Sequence, residues 1–291
     1  MPTSIADAIL QGADTLRKAG VPEARREAGS FVAHILKRDR SFIIGHAEDP
    51  ISPEQLELFR VATERRAKGE PLQYITGHQE FFGLDFEVSG DVLIPRPETE
   101  LLIETALTLT NSGDGPLLIC DVGTGSGCIA VTLLHELPRA RAVAIDISPA
   151  AIDVAQRNAE RNAVSDRIDF VVSDCFVTLQ TAGNSSPLFD LIVSNPPYIP
   201  VGEFEGLQRE VRDFEPRSAL VAGIDGLSVI RRLLTEAAAY TKPGGHFLFE
   251  IGFEQSVAVE HLVSTMSAWK LLGIHKDLQG IPRTVALEKL P

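Results

Sequence analysis

The sequence contains few cysteines and no pattern that would pair them. Its 291 residues include three cysteines, Cys120, Cys128 and Cys175, which form neither a Cys-x-x-Cys motif nor an even set. This excludes a disulfide scaffold and favours the reducing environment of the cytoplasm. The seven histidines form no His-x-x-x-His or Cys/His cluster, so we predict no metal site.

Long apolar runs and a basic excess are also missing. No apolar run at the N-terminus is as long as that of a signal peptide or a membrane span, so we expect no membrane partner. Residues 1–70 hold 11 basic and 11 acidic residues, whereas the remaining 221 hold 16 and 29, which places the whole net charge of −13 there. Lys and Arg contacts to phosphates supply most of the affinity of a DNA-binding protein. We therefore expect no direct DNA binding and consider a basic protein partner.

The composition that remains is typical of a globular protein with two domains. The chain is 44% hydrophobic and 23% charged, and 291 residues exceed one typical domain. Apolar residues recur at helical spacing up to residue 70, and Ser52-Pro53-Glu54-Gln55 resembles a capping box. We predict a helical bundle over residues 1–70, a β-hairpin linker over 71–97 and a second domain over 98–291.

The predicted hairpin rests on an alternation of apolar and polar residues. Phe82, Leu84, Phe86 and Val88 alternate with polar or small residues, and a turn at 89–91 would lead into a second strand at 92–94. Pro97 then begins a helix with acidic residues in its first turn, which we assign to a favourable interaction with the helix dipole.

A glycine-rich loop follows a predicted buried strand at 117–122. The loop contains Gly123, Thr124, Gly125, Ser126 and Gly127, and an apolar helix pattern comes next. Such glycines permit a tight turn and the close approach of a ligand to backbone N–H groups. A second strand ends in Asp146, about 20 residues beyond the glycines, where an acid binds ribose hydroxyls in nucleoside-binding folds. The loop alone does not distinguish a nicotinamide cofactor from S-adenosylmethionine.

The stretch from Ser194 to Pro200 ends another buried strand. Two prolines hold Asn195 in a stiff turn at the carboxyl end of that strand, where open α/β sheets bind ligands. The side chain of Asn195 and the carbonyl of Pro196 offer acceptors for both hydrogens of a planar amino group, and Tyr198 offers a ring for stacking. We interpret Asn195, Pro196, Pro197 and Tyr198 as a site for an amide or an aromatic amine.

Strands and helices alternate through the rest of the chain. We predict helices near 149–162, 227–240 and 254–265 and strands near 168–172, 246–251, Leu271 and Val285. This alternation is typical of a doubly wound α/β sheet. Asp174 follows the third strand of the domain and is a candidate partner for an adenine amino group.

Six motifs follow one another along the chain: GEPLQYITG at 69–77, LIPRPETE at 93–100, DVGTGSG at 121–127, SNPPYI at 194–199, FEPRSAL at 214–220 and DGL at 225–227. In this order they resemble the motifs of the HemK family, the release factor glutamine methyltransferases. The resemblance covers the whole chain and is strongest from residue 69 onward. It implies a Rossmann-like class I methyltransferase domain with a mostly parallel seven-stranded sheet, preceded by the helical bundle and the hairpin.

The resemblance implies a function for the predicted site. The family methylates N5 of the glutamine in the Gly-Gly-Gln motif of class I peptide-chain release factors, which act in translation termination. Its methyl donor is S-adenosylmethionine, and S-adenosylhomocysteine is the product. The cofactor positions fall on 123–127, Asp146, Asp174, Cys175 and Asn195, and the substrate motif falls on 195–198, with Asn195, Pro196 and Tyr198 as catalytic residues.

One position departs from the family, and three other functions stay open. Members of the family can carry a large aromatic residue at the position of Cys175, and Phe176 is a possible substitute in the adenine contact. Residues 181–187 look like a surface insertion. The alternatives are a glutamine methyltransferase acting on a ribosomal protein, an adenine N6 methyltransferase acting on nucleic acid, and a nucleotide-binding interaction module without enzymatic activity.

Overall fold

A computed structural model describes residues 3–110, 115–180 and 188–291, so the predicted insertion at 181–187 lies outside the described residues. The chain divides into two compact units. One contains Met1–Gly77 with Gln208–Phe214, and the other contains His78–Leu207 with Glu215–Pro291. The predicted boundaries at residues 70 and 97 stay predictions. Within the described residues, no helix is both long and apolar enough to cross a membrane.

The first unit is a bundle of helices. They are α1 (Ile5–Lys18), α2 (Ala24–Leu36), α3 (Arg40–Gly45), α4 (Pro53–Ala67) and α5 (Leu72–Thr76). The capping box predicted at Ser52 is confirmed, because its hydroxyl accepts from the Gln55 N–H and the Gln55 side chain accepts from the Ser52 N–H. Apolar side chains of α1, α2 and α4, among them Leu16, Phe31 and Phe59, form the core of the bundle.

A later segment of the chain also belongs to this bundle. Residues Gln208–Phe214, which include α10 (Arg209–Phe214), belong to the unit formed by the first 77 residues. The guanidinium of Arg66 on α4 is 9% exposed and contacts the carboxylates of Glu27 at 2.5 Å and Glu210 at 2.8 Å. A charge removed from water in this way needs such partners. The sequence contained no local signal for this association.

The hairpin forms with a different register from the predicted one. Its strands are β1 (His78–Phe81) and β2 (Leu84–Glu87), and Phe82 and Gly83 form the turn with φ of +51° and +77°. Two consecutive residues with positive φ match the twist of a two-residue hairpin. The predictions of a strand through Phe82 and of a returning strand at 92–94 were therefore wrong. The Glu100 carboxylate accepts from the N–H of Phe82 at 3.0 Å and so supports this turn.

The second unit is a doubly wound domain, as predicted. Its helices are α6 (Glu100–Thr110), α7 (Cys128–Glu136), α8 (Pro149–Arg161), α9 (Val177–Gln180), α11 (Ser228–Glu236) and α12 (Ser256–Ser264). Besides the hairpin it contains a larger sheet, whose strands are β3 (Leu118–Val122), β4 (Arg141–Asp146), β5 (Ile168–Val172), β6 (Phe189–Ser194), β7 (Thr241–Glu250), β8 (Trp269–Lys276) and β9 (Pro282–Lys289). The seven strands have the order β5-β4-β3-β6-β7-β9-β8. All adjacent pairs are parallel except β7 with β9 and β8 with β9.

The central strands are buried on both faces, which explains their nearly continuous apolar sequences. Along β6, Leu191 and Val193 pack on the side of α6, α7 and α8, whereas Ile192 packs on the side of α11 and α12. Ile119 and Cys120 of β3 divide between the two faces in the same way.

The strand order places a switch point between β3 and β6. The chain leaves β3 for β4 and β5 on one side and later returns to β6 and β7 on the other. Ligands of open α/β sheets bind at the carboxyl ends of strands at such a point. The hydroxyl of Ser194 donates to the Val122 carbonyl at 2.7 Å and ties the ends of β6 and β3 together.

Candidate active site

A cavity of about 260 Å³ lies at the carboxyl ends of β3, β4 and β6, entirely within the second unit. Most of the residues predicted for the site line it: Gly123, Thr124, Gly125, Ser126, Asp146, Asp174, Cys175, Asn195, Pro196 and Pro197. Gly127 and Tyr198 are not among the lining residues. The structure thus brings the glycine loop and Asn195 to one cavity.

The glycine loop is held mainly by backbone hydrogen bonds. The N–H groups of Gly123 and Thr124 donate to the carbonyl of Ile145 at 2.8 and 2.9 Å. A Cβ on Gly125, whose φ is +54°, would meet nothing within 4 Å, so open space lies beside the loop. A Cβ on Gly127 would lie 3.1 Å from the Cβ of Ala155. Gly127 therefore permits close packing of α8, while Gly125 leaves room for a ligand.

Asp146 is fixed at the base of the loop. Its Oδ2 accepts from the N–H of Gly125 and its Oδ1 from the N–H of Ser148, both at 2.9 Å. Burial raises the pKa of this carboxyl, although the backbone donors oppose the shift. Each oxygen keeps a further acceptor position, so the side chain can also bind a hydroxyl of a ligand in the cavity.

Asp121 lies beneath the loop and was not predicted as a site residue. It is fully buried, and its Oδ2 accepts from the Thr124 hydroxyl at 2.7 Å and from the Ala130 N–H at 3.2 Å. Burial raises the pKa of Asp121 to about 7. The side chain therefore connects the loop to the first turn of α7.

The two residues predicted near adenine have different environments. The carboxylate of Asp174 accepts from Arg232 at 2.6 Å, an ion pair that sequence reasoning missed. Cys175 lines the cavity with a φ of +50°, and burial raises its pKa to about 11. Phe176 does not line the cavity, because it is fully buried and stacked on Tyr240 at 4.6 Å.

Asn195 is the first residue after β6, and two successive side-chain hydrogen bonds hold it in place. Its Nδ2 donates to the Oγ1 of Thr99 at 3.0 Å, and the Thr99 hydroxyl donates to the Oε2 of Glu250 at 2.6 Å. Thr99 lines the cavity, whereas Glu250, the last residue of β7, is buried behind it. Thr99 lies between Glu98 and Glu100 in the turn before α6, where the sequence gives no local indication of a contact with Asn195.

Two hydrogen bonds and two closely packed glycines fix the position of Tyr198. Its hydroxyl donates to the Oε1 of Glu250 at 3.3 Å, and its carbonyl accepts from the Nε2 of Gln255 at 3.0 Å. A Cβ on Gly252 would lie 2.9 Å from the Cδ2 of the tyrosine, and one on Gly226 would lie 2.2 Å from its carbonyl oxygen. Gly226, in the motif at 225–227, therefore permits the close approach of the Tyr198 backbone.

A further ion pair joins two motifs beside the cavity. Arg96, which lines the cavity, donates to the Oε1 of Glu215 at 2.5 Å. Glu215 is buried, and Pro216, Ser218 and Ala219 after it also line the cavity. The motifs at 93–100 and 214–220 thus meet at the same site although 119 positions separate the paired residues.

Two family models match this chain, one on each of its two units. Residues 7–77 match the PrmC N-terminal domain, and residues 97–205 match the methyltransferase small domain. The release factor glutamine methyltransferase of Koribacter versatilis is 42% identical over 94% of both chains. The chain belongs to the release factor glutamine methyltransferase family. Two further members show the same similarity. The one from Geobacter sulfurreducens is 44% identical over 93% of this chain and 91% of its own. The one from Nitratidesulfovibrio vulgaris is 42% identical over 98% of this chain and 96% of its own.

Solved structures confirm the fold class of this glutamine methyltransferase. The hMettl16 catalytic domain in complex with MAT2A 3′UTR hairpin 6 has a TM-score of 0.56 at 16% identity, covering 82% of this chain and 85% of that one. A methyltransferase from Pyrococcus furiosus has a TM-score of 0.50 at 19% identity, covering 72% and 91%. At these identities the likeness establishes a shared fold and no shared substrate.

Proposed function

We propose that the protein transfers a methyl group from S-adenosylmethionine to N5 of the glutamine in the Gly-Gly-Gln motif of class I peptide-chain release factors. The observation that carries the proposal is that Asn195, Pro196 and the glycine loop line one cavity at the switch point of the sheet. Two relatives named release factor glutamine methyltransferase are 42% and 44% identical to this chain over 94% and 93% of its length.

The residues around the cavity fit the proposed cofactor. Open space beside Gly123 and Gly125 admits an elongated ligand against the loop backbone. Asp146 would accept from the ribose hydroxyls, and Asp174 and Cys175 would lie on the adenine side. When bound, S-adenosylmethionine supplies an electrophilic methyl group on a sulfonium.

Asn195 and Pro196 would act on the substrate amide. An amide nitrogen is a poor nucleophile because its lone pair is delocalised into the carbonyl. The Asn195 Oδ1 and the Pro196 carbonyl accept its two hydrogens and fix the direction of the nitrogen. Positioning of this kind contributes about 7–11 kcal/mol when the reacting atoms are in near-attack geometry. The same oxygens stabilise the positive charge that develops on nitrogen, and a proton leaves to water once the new carbon–nitrogen bond has formed.

Charge supports a protein substrate over a nucleic acid. The residues after position 70 carry the entire net charge of −13, which opposes binding to a phosphate backbone and suits a basic partner. A release factor acting in translation would place the enzyme in the cytoplasm.

Mass spectrometry of candidate substrates tests the proposal. The protein is incubated with labelled S-adenosylmethionine and, in separate reactions, with a release factor, a ribosomal protein fraction and DNA. We expect label only in the release factor, on the glutamine of the Gly-Gly-Gln peptide, and labelling at least about 100-fold slower with Asn195→Ala. Label in the ribosomal fraction or DNA alone would contradict the proposed substrate.

A further inference from the structure

We propose that Thr99 and Glu250 are positioning residues that hold the Asn195 side chain with its oxygen towards the cavity. This inference rests on the proposed function, because it concerns which group of Asn195 meets the substrate amide. Asn195 donates to Thr99, 96 positions away, and Thr99 donates to Glu250, 151 positions away. We call these two hydrogen bonds the relay, and no local sequence pattern connects its three residues.

The direction of the hydrogen bonds follows from the chemistry of the groups. An ionised carboxylate only accepts, so the single hydroxyl proton of Thr99 is committed to Glu250. The Thr99 oxygen is then left as an acceptor, and the group of Asn195 that faces it must be the NH₂. The Oδ1 of Asn195 is consequently directed away from Thr99, and the asparagine presents an acceptor rather than a donor.

This orientation decides whether the site can bind an amide NH₂. A side-chain amide can rotate by 180°, which exchanges its oxygen and its nitrogen. With its NH₂ towards the cavity, Asn195 would oppose a donor with a donor and leave both groups unpaired, at a cost comparable to a lost buried hydrogen bond. The relay removes this alternative.

Burial and a second contact strengthen the relay. Thr99 is 2% exposed and Glu250 is 1% exposed, so the hydrogen bond between them is shielded from water. The other oxygen of Glu250 accepts from the hydroxyl of Tyr198 at 3.3 Å. One carboxylate therefore holds both the first and the last residue of the Asn-Pro-Pro-Tyr motif.

The protonation state of Glu250 can alter the relay. Burial raises its pKa to about 7, and the charged or titratable groups that act on it are Glu98 before α6, Arg283 on β9, Tyr198 after β6 and Cys128 on α7. A protonated Glu250 can donate to Thr99, which frees the threonine proton for Asn195 and permits the rotated amide. We therefore expect kcat to rise with pH as Glu250 ionises near pH 7.

The test compares hydroxyl substitutions at two buried threonines. Thr99→Val keeps the shape of the side chain and removes the relay, whereas Thr105→Val removes a hydroxyl that bonds only to the Leu101 carbonyl of its own helix. We expect kcat for release factor methylation to fall about 10-fold or more in Thr99→Val, as the loss of one oriented hydrogen bond implies. The Kd of S-adenosylmethionine should change less than about 3-fold, and Thr105→Val should leave kcat unchanged.

Two further variants separate positioning from folding. Thr99→Ser retains the hydroxyl and should restore kcat, and Glu250→Gln should lower kcat and abolish its rise with pH. Thermal unfolding of each variant checks that the domain is folded. An unchanged kcat in folded Thr99→Val, or an unaltered pH profile in Glu250→Gln, overturns the positioning role while wild-type methylation of the release factor still stands. Failure of the wild type to methylate the release factor would instead reject the proposed function.

Discussion

The two sides of the cavity are built by different means. On the side of β3 and β4, backbone N–H groups and two carboxylates hold the glycine loop, and all of these residues lie between Asp121 and Ser148. On the side of β6, the side chains of Thr99 and Glu250, from two distant parts of the sequence, hold Asn195 and Tyr198. The first arrangement suits a cofactor that many enzymes share, and the second suits a specific acceptor group. We therefore expect substitutions on the two sides to separate cofactor affinity from methyl transfer.

The largest expected effect is on the Asn195 side. Asn195→Ala removes one acceptor of the substrate amide, and kcat should fall by about 10²–10³-fold, as for the loss of one hydrogen bond to a developing charge. The Kd of S-adenosylmethionine, measured by calorimetry, should stay close to that of the wild type. A large loss of cofactor affinity with little change in kcat would contradict the division between the two sides.

A substitution at Gly226, against which Tyr198 packs, should lower kcat nearly as much. A Cβ at Gly226 would lie 2.2 Å from the Tyr198 carbonyl oxygen, and the residue has a φ of +73°. Gly226→Ala should displace the motif and lower kcat by about 100-fold, because small misplacements near the reacting atoms have effects of that size. Gly280→Ala is the control, since Gly280 has a φ of +81° and nothing within 4 Å of its Cβ position. Equal losses in both variants would show that backbone strain, and not the contact with Tyr198, is responsible.

The loop side should respond through the cofactor. Asp146→Asn keeps the size of the side chain and weakens its acceptor capacity towards ribose, so the Kd of S-adenosylmethionine should rise about 10-fold. At saturating cofactor, kcat should change much less than in Asn195→Ala. Asp153→Asn, at an exposed position of α8, is the matched control. Methylation rates at several cofactor concentrations distinguish the two effects.

The smallest effect concerns stability and pH. Burial raises the pKa values of Asp121 and Glu250 to about 7, above their unfolded values, so the folded protein binds more protons than the unfolded chain between about pH 4.5 and pH 7. The free energy of unfolding should therefore decrease as pH rises through this range, with a slope of up to about 1.4 kcal/mol per pH unit for each group. Asp121→Asn and Glu250→Gln should each reduce the slope in urea unfolding between pH 5 and pH 8. An unchanged slope in both would show that neither carboxyl has a raised pKa.

The amino-acid sequence by itself determined the order of the elements and the positions of the glycine loop, Asp146 and Asn195. Periodicity, proline turns and glycines act over a few residues, so these features can be recognised locally. The family followed from the order of the motifs. The tertiary structure decided the register of the hairpin, the association of 208–214 with the first unit, the ion pair of Asp174 with Arg232, and the relay from Asn195 through Thr99 to Glu250. Most of these features depend on contacts between residues far apart in the chain, and only the packing of strands and helices brings such partners together.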